Sequence, residues 1–212
     1  MHSESRQLLN EMLKSFSALD YVHPEDIPNI DLYVDQVTTF IDSQLESAKR
    51  NPEDKTLTKT MINNYTKNHV LPSPDKKKYS RDHILTLTFI YYLKSFLSIK
   101  DIQDILNPIT ERYFGADSDL SFFDVYSEIV SLESTEARAL IKDIITKYNT
   151  SREIFSEAPE EDQEVLQNFT FICMLSFDVY IKKMMIEEFI DMSREAAEKK
   201  ATKEEENKKE GE

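Results

Sequence analysis

An all-α protein is predicted by three features of the sequence. The 212 residues include only two glycines, and most βαβ phosphate turns and tight hairpins need Gly for positive φ or close backbone approach. Leu, Ile, Lys and Glu are abundant, and apolar residues recur at three- and four-residue spacings along most of the chain. Prolines and capping residues then cut that pattern into separate helices. A chain of this length can bury a proper core, as one large domain or two small ones.

In order, Leu8, Leu9, Met12, Leu13 and Phe16 give a modest amphipathic helix over residues 3–19. Pro24 and Pro28 mark an extended connector, because a residue before proline is pushed out of the helical region. A second helix is expected over 31–50. Asp31 is its N-cap, and Tyr33, Val37, Phe40, Ile41, Gln44, Leu45 and Ala48 lie on one face. After the turn NPEDKT comes a short helix over 57–68, with Leu57, Met61, Ile62 and Tyr65 as its apolar stripe. Lys59, Thr60, Asn63, Asn64 and Lys67 occupy the opposite face. The helix closes at Asn68-His69, where a left-handed residue other than glycine is tolerated at small cost.

Pro72 and Pro74 forbid helix next, and Lys76, Lys77 and Lys78 form a short basic loop or hairpin tip. Ser80 caps a helix from Arg81 to about Leu97 that is apolar around most of its circumference, so it is buried on more than one side. Ser98 with Asp101 has the spacing of a capping box. The helix it opens turns Ile99, Ile102, Ile105 and Leu106 inward and ends at Pro108. Further helices are expected over 109–114, 121–132 and 135–148, and a long last one over about 159–199. In that last helix Val165, Phe169, Ile172, Ser176, Val179, Lys183, Ile186 and Ile190 alternate spacings of four and three. The pattern is heptad-like, interrupted by Ser176 and Lys183, and suits a bundle core with one end reaching a partner helix. From Arg194 onward Lys, Glu and Ala lack apolar anchors, so that end reads as a frayed helix or a disordered tail. The expected divisions are an N-terminal helix and connector (1–26), a helical unit that holds the two short helices and the basic loop (27–107), a C-terminal helical domain (108–193) and the charged tail (194–212).

The formal net charge is −14, yet residues 55–100 carry +7, which leaves −21 for the remainder. A basic island in an acidic chain points to an anionic partner. Other classes find little support. His2, His23, His69 and His83 show no metal-ligand spacing, and Cys173 sits on an apolar helix face, as a buried inert thiol does. No nucleophile, cofactor loop or paired carboxylate is marked, so catalytic, cofactor-binding and metal residues are not expected and the chain does not read as an enzyme. A single cysteine excludes an intrachain disulfide framework and fits a reducing compartment. The first residues have no basic start leading into an apolar run, and the apolar-rich runs 84–93 and 168–177 are shorter than the about 20 residues of a membrane span. A cytoplasmic location is therefore expected.

The outer face of helix 57–68 contains no acid, whereas a surface built for solubility alone usually mixes both signs. Lys, Thr and Asn suit phosphates and base edges. An Asn amide donates and accepts at once, matching adenine's N6/N7 pair in the major groove. Tyr65 and Tyr79 read as core and loop anchors, not as base-stacking platforms.

Residues 57–106 resemble the winged helix-turn-helix of the mercury-resistance-regulator (MerR) superfamily. Met61-Ile62-Asn63-Asn64-Tyr65 stands at its Thr-Leu-Arg-Tyr-Tyr run, and His69-Val70-Leu71-Pro72-Ser73-Pro74 at its Gly-Leu-Leu-Pro-Pro turn. Lys76 to Tyr79 stand at the basic wing, Ser80 at the cap, and Leu97-Ser98-Ile99 at the Phe-Ser-Leu helix start. More closely, IDLYVDQVTTFID with LTKTMINNYTKN is similar to the bacterial domain of unknown function 1836. The family's DNA-contacting Arg and first Tyr are Asn63 and Asn64 here, and its wing glycine is missing. The resemblance implies a MerR-like winged helix-turn-helix with a short basic wing, followed by a C-terminal helical bundle with a long last helix. It implies a transcriptional regulator of double-stranded DNA, with helix 57–68 in the major groove and wing 75–81 on phosphates. The expected contacts are Lys59, Thr60, Asn63, Asn64, Lys67, Lys76, Lys77, Lys78 and Arg81, in a homodimer paired through the C-terminal helices. The alternative is a protein-interaction module that keeps the scaffold without binding DNA.

Overall fold

The computed structural model describes residues 22–51, 53–116 and 119–210, together with Gln7, Glu11 and Leu13. The helix expected over 3–19 therefore lies almost wholly outside the described residues. What is described is mostly helical, with a long C-terminal helix, and divides into two compact units, Met1–Ala139 and Leu140–Glu212.

The first unit runs from a 3-10 turn, Pro24–Asp26, through β1 (Leu32–Tyr33), α1 (Val34–Gln44), α2 (Lys59–Lys67), β2 (Lys78–Tyr79), α3 (Arg81–Leu93), α4 (Ile99–Tyr113) and α5 (Phe122–Ser131). Its core is α3. His83, Ile84, Leu85, Thr86, Leu87, Thr88 and Ile90 are all buried there, a run that covers more than one face at 3.6 residues per turn. Thr86 and Thr88 satisfy their hydroxyls on the carbonyls of Asp82 and Ile84, four residues back, at 2.8 and 2.9 Å. Val37 and Ile41 of α1, Ile62 and Tyr65 of α2, and Phe122, Tyr126 and Val130 of α5 are buried with it. Fully buried Tyr126 donates its hydroxyl to the carbonyl of Val22 at 2.6 Å. That bond ties Val22 to α5.

Several boundaries differ from those read in the sequence. Pro24 opens a 3-10 turn, where an extended connector was expected. The second helix starts at Val34 and not Asp31, because Leu32 and Tyr33 are drawn into an antiparallel pairing with Tyr79 and Lys78. The Tyr33 backbone N–H is then capped by the Gln36 side chain at 2.9 Å. Tyr33 accordingly leaves the apolar face assigned to it and is exposed. α3 stops at Leu93, four residues short of the expected end.

Pro108 does not end a helix. α4 runs through it to Tyr113 while Ile102, Leu106 and Thr110 stay buried on one side. Pro108 is exposed on the other, where a helix can bend away from the ring and open one carbonyl to water. The division expected at 107/108, which took Pro108 as a helix stop, thus falls inside α4. Ser98 does cap α4, its hydroxyl accepting the Asp101 N–H at 3.1 Å, and Ser121 caps α5 on Asp124 in the same way at 3.2 Å.

Helix α6 (Glu133–Glu153) begins in the first unit and continues into the second, where a turn leads to α7 (Glu160–Glu210). Within the second unit Gln167 is buried and donates to the carbonyls of Arg152 and Ile154, both at 3.1 Å, closing the C-terminal end of α6. Gln163 does the same for Ser156 and Ala158, at 3.0 and 2.9 Å. Tyr148 meets Phe171 edge-on with ring centroids 5.5 Å apart, and Lys147 bridges Asp143 and Asp178. α7 remains helical to Glu210, past Arg194, where the loss of apolar anchors had made a disordered tail one of two readings. No helix among the described residues is long and apolar enough to cross a membrane.

Candidate nucleic-acid interface

The approach to α2 is fixed by charge and hydrogen bonding before any apolar contact is made. Asp42 on α1 accepts from Lys49 Nζ at 2.8 Å and from the Thr56 N–H and hydroxyl at 3.3 and 3.1 Å. The Lys49 ammonium, and then Thr56, hold the Asp42 carboxyl below the ordinary carboxylate range. Lys94 reaches the Thr56 carbonyl at 2.6 Å from α3, and burial lowers its pKa. This network pins the loop between α1 and α2.

Thr58 then accepts the Met61 N–H at 3.2 Å as the N-cap of α2, worth about 1 kcal/mol to the helix. Ile62 and Tyr65 are buried, whereas Lys59, Thr60, Asn63, Asn64 and Lys67 are all exposed. At 100° per residue these five positions span an arc of about 140°. The sequence had put them on one face, and the packing of Ile62 and Tyr65 keeps that face turned to solvent. His69 takes φ +56° as the chain leaves the helix. The Val70 and Leu71 N–H groups then return to the Tyr65 carbonyl at 2.9 and 3.2 Å, and both side chains are buried.

The basic loop is a tight turn. Lys76 and Lys77 have φ +46° and +66°, and the Lys78 N–H donates to the Asp75 carbonyl at 2.8 Å. Two successive positive φ values are the signature of a type I′ turn, whose usual occupants are Asn and Gly. Two lysines hold it here, at roughly 1–2 kcal/mol for each left-handed L residue. The strand leaving the turn, β2, pairs with β1, the strand preceding α1, in the register Leu32 with Tyr79 and Tyr33 with Lys78. Buried Tyr79 anchors that strand, while Lys76 and Lys77 are exposed and enter no ion pair with any described residue.

Two of the nine expected contacts are engaged elsewhere. Arg81 is turned into the first unit: its Nη2 donates to the Pro24 carbonyl at 3.1 Å, and its guanidinium lies 3.4 Å from the centre of the Phe123 ring. Its Nε is buried without a partner. Only its place three residues after Lys78 had assigned it to the basic wing. Lys59 is exposed but ion-paired with Asp35 of α1. The +7 island shrinks further because Lys94 points inward and Lys100 pairs with Asp104 at 3.2 Å. Lys67, Lys76 and Lys77, with Thr60, Asn63 and Asn64, remain as the open polar set, and Lys78, half-buried, follows Lys77 at the end of the turn.

Tyr33 adds to this surface from outside the nine expected contacts. The residue is 53 % exposed and the Lys78 ammonium lies 5.8 Å from the ring centre, within cation–π range. Helical periodicity had assigned Tyr33 to the core; only the strand pairing moves it out, so no local signal marked it. At the root of the turn, His83 Nδ1 accepts the Ser80 N–H at 2.9 Å. The imidazole sits edge-on to Tyr79 and Phe114, with centroids 5.3 and 4.7 Å away. Burial pushes its pKa below the ordinary histidine value, and Nε2 is buried without a hydrogen-bond partner. Among the described residues no three His, Cys, Asp or Glu side chains are grouped to hold a metal ion.

No curated protein and no solved structure matches the chain. Residues 22–129, more than half of the chain and all of the surface just described, match the model of the family Domain of unknown function (DUF1836), and the chain belongs to that family.

Proposed function

We propose that the first unit binds double-stranded DNA as a transcriptional regulator, with α2 in the major groove and the Asp75–Lys78 turn on flanking phosphate. The observation that carries this reading is the turn itself. Two exposed lysines without ion pairs occupy a conformation that Asn and Gly would adopt more cheaply, and strain of this kind concentrates at functional sites. The acid-free face of α2 supports it, with Asn63 and Asn64 as base-reading amides and Lys67 as a phosphate contact. So does the order helix, proline turn, basic turn, Ser80-headed helix and Ser98-capped helix, which is the order the MerR resemblance leads one to expect. A single module of this size buries limited surface on DNA, so two copies on a palindromic site give useful affinity.

Mobility-shift assays on genomic fragments, at low and moderate salt, test the proposal. Binding is expected to weaken steeply with salt as counterions are released. Lys76→Ala lowers affinity for all sequences alike, whereas Asn63→Ala also flattens sequence preference by about 1–3 kcal/mol at one base pair. Absence of any shift at low salt refutes the proposal. It favours a protein-interaction module on the same scaffold, a second reading motivated by the Lys59–Asp35 pair and the net charge of −14.

A further inference from the structure

We infer that Tyr33 is a contact to the DNA backbone: its ring lies along a deoxyribose and its hydroxyl donates to a phosphate oxygen, beside the phosphate gripped by the Asp75–Lys78 turn. The contact presupposes the DNA complex proposed for the first unit, but that complex can stand without it.

Strand register places the ring. β1 and β2 contribute two residue pairs, Leu32 with Tyr79 and Tyr33 with Lys78. Side chains alternate along a strand, and directly opposed residues share a face. Leu32 and Tyr79 are buried, so theirs is the inner face. Tyr33 and Lys78 make up the outer one, and Lys76 and Lys77 form the tip just before it. The three lysines outnumber Asp31 and Asp75, the two acids that flank the pairing in sequence.

A single aromatic on a protein surface is ordinary. This one stands opposite the last residue of a strained cationic turn, with the Lys78 ammonium 5.8 Å from its centre. Its backbone is held by the strand pairing and by the Gln36 side chain, which accepts the Tyr33 N–H at 2.9 Å. Tyrosine has only two side-chain torsions to fix, so ordering the ring on a partner costs little entropy. Along the ribbon the ring is one or two residue steps behind the tip lysines, at about 3.4 Å per step. A DNA strand carries one phosphate per about 3.4 Å of helix axis. The tip and the ring therefore reach neighbouring nucleotides.

The hydroxyl decides how the ring is used. Insertion between base pairs would unstack them and bury the hydroxyl without an acceptor. Along the backbone the ring covers the apolar face of a sugar while the hydroxyl reaches a phosphate, a partner that Tyr side chains take in protein–DNA complexes. Lys78, near the ring, then adds its charge to the same strand. A contact of this kind carries no base information.

The chain contains no tryptophan, so Tyr33→Trp puts the only indole at this position. Titrated at low salt with a mixed-sequence DNA duplex, its emission is expected to change in step with the mobility shift. Tyr33→Ala should weaken binding about three- to ten-fold, alike for all sequences, and Tyr33→Phe should fall between it and the wild type. Neither removes a charge, so the slope of log affinity against log salt should stay as it is, whereas Lys76→Ala should reduce it by about one. Circular dichroism of each variant should match the wild type, because Tyr33 is exposed. An indole that ignores bound DNA, a Tyr33→Ala variant that binds as the wild type does, or a loss confined to one base preference overturns the contact and leaves the DNA reading standing. Tyr33→Phe binding like the wild type overturns the phosphate bond. A wild-type chain that shifts no duplex at low salt overturns the contact and the DNA reading together.

Discussion

The two units use similar apolar residues in opposite ways. In the first, α3 has thirteen residues, of which seven are buried, and α1, α2 and α5 add their own buried residues to the same core. In the second, α7 is 51 residues long, and of its described side chains only Gln167 and Ile190 are buried. Burial is decided by how many neighbours an element has, and α7 is too long for the 21-residue α6 to cover. The turns differ too. Both units hold left-handed residues that are not glycine, His69, Lys76 and Lys77 in one and Phe155 in the other. The Lys76-Lys77 turn of the first displays cations and the second an exposed aromatic.

The largest effect is expected in the core that α3 organises. Leu87→Ala should cost about 2–5 kcal/mol in urea unfolding, because Leu87 is inaccessible to solvent. Val179→Ala on α7 should change the stability of the single chain by less than about 0.5 kcal/mol. Equal losses at the two sites would erase the contrast. Next in size, replacing Lys76-Lys77 with Asn-Gly should stabilise the first unit by roughly 1–2 kcal/mol or more, since both residues accept positive φ readily. The same change should weaken any polyanion binding, so thermal melts and shift assays would move in opposite directions. A swap that left stability unchanged would remove the argument from strain. In the second unit, Phe155→Gly should raise stability by about 1 kcal/mol through the same relief, offset in part by the greater freedom of glycine in the unfolded chain.

The smallest effect is a pH slope. His83 is buried and neutral, with a folded pKa below its unfolded value. Its contribution is therefore fully present above the unfolded value of about 6.5 and is lost as pH falls through the lower folded pKa. Protonation would also remove the acceptor for the Ser80 N–H. Denaturation midpoints should decline over that window in the wild type, and less in His83→Phe; parallel curves would show that His83 does not titrate on unfolding.

Much of the first unit was legible because its signals are local. The Ser98 cap falls where Asp101 stands three residues on, the apolar girth of α3 implies burial on several sides, and the face of α2 follows from helical spacing. Errors arose where a distant residue overrides a local preference. Tyr33 and Asp31 were read as helical, and the pairing of β1 with β2, more than forty residues on, recruits Leu32 and Tyr33 into a strand instead. Arg81 was read as basic surface because it follows Lys78 closely, and Pro24 and Phe123, both remote in sequence, capture it.

By itself the sequence determined the helical class, the Ser98 cap and the arc of Lys59, Thr60, Asn63, Asn64 and Lys67, since each depends on neighbours within a turn or two. Tertiary structure alone decided which cations stay open, that Pro108 lies on a solvent face and so leaves α4 intact, and that the α7 stripe is exposed. Those outcomes depend on which surfaces the fold brings together, and the free energy of a charge or an apolar group is set by what surrounds it.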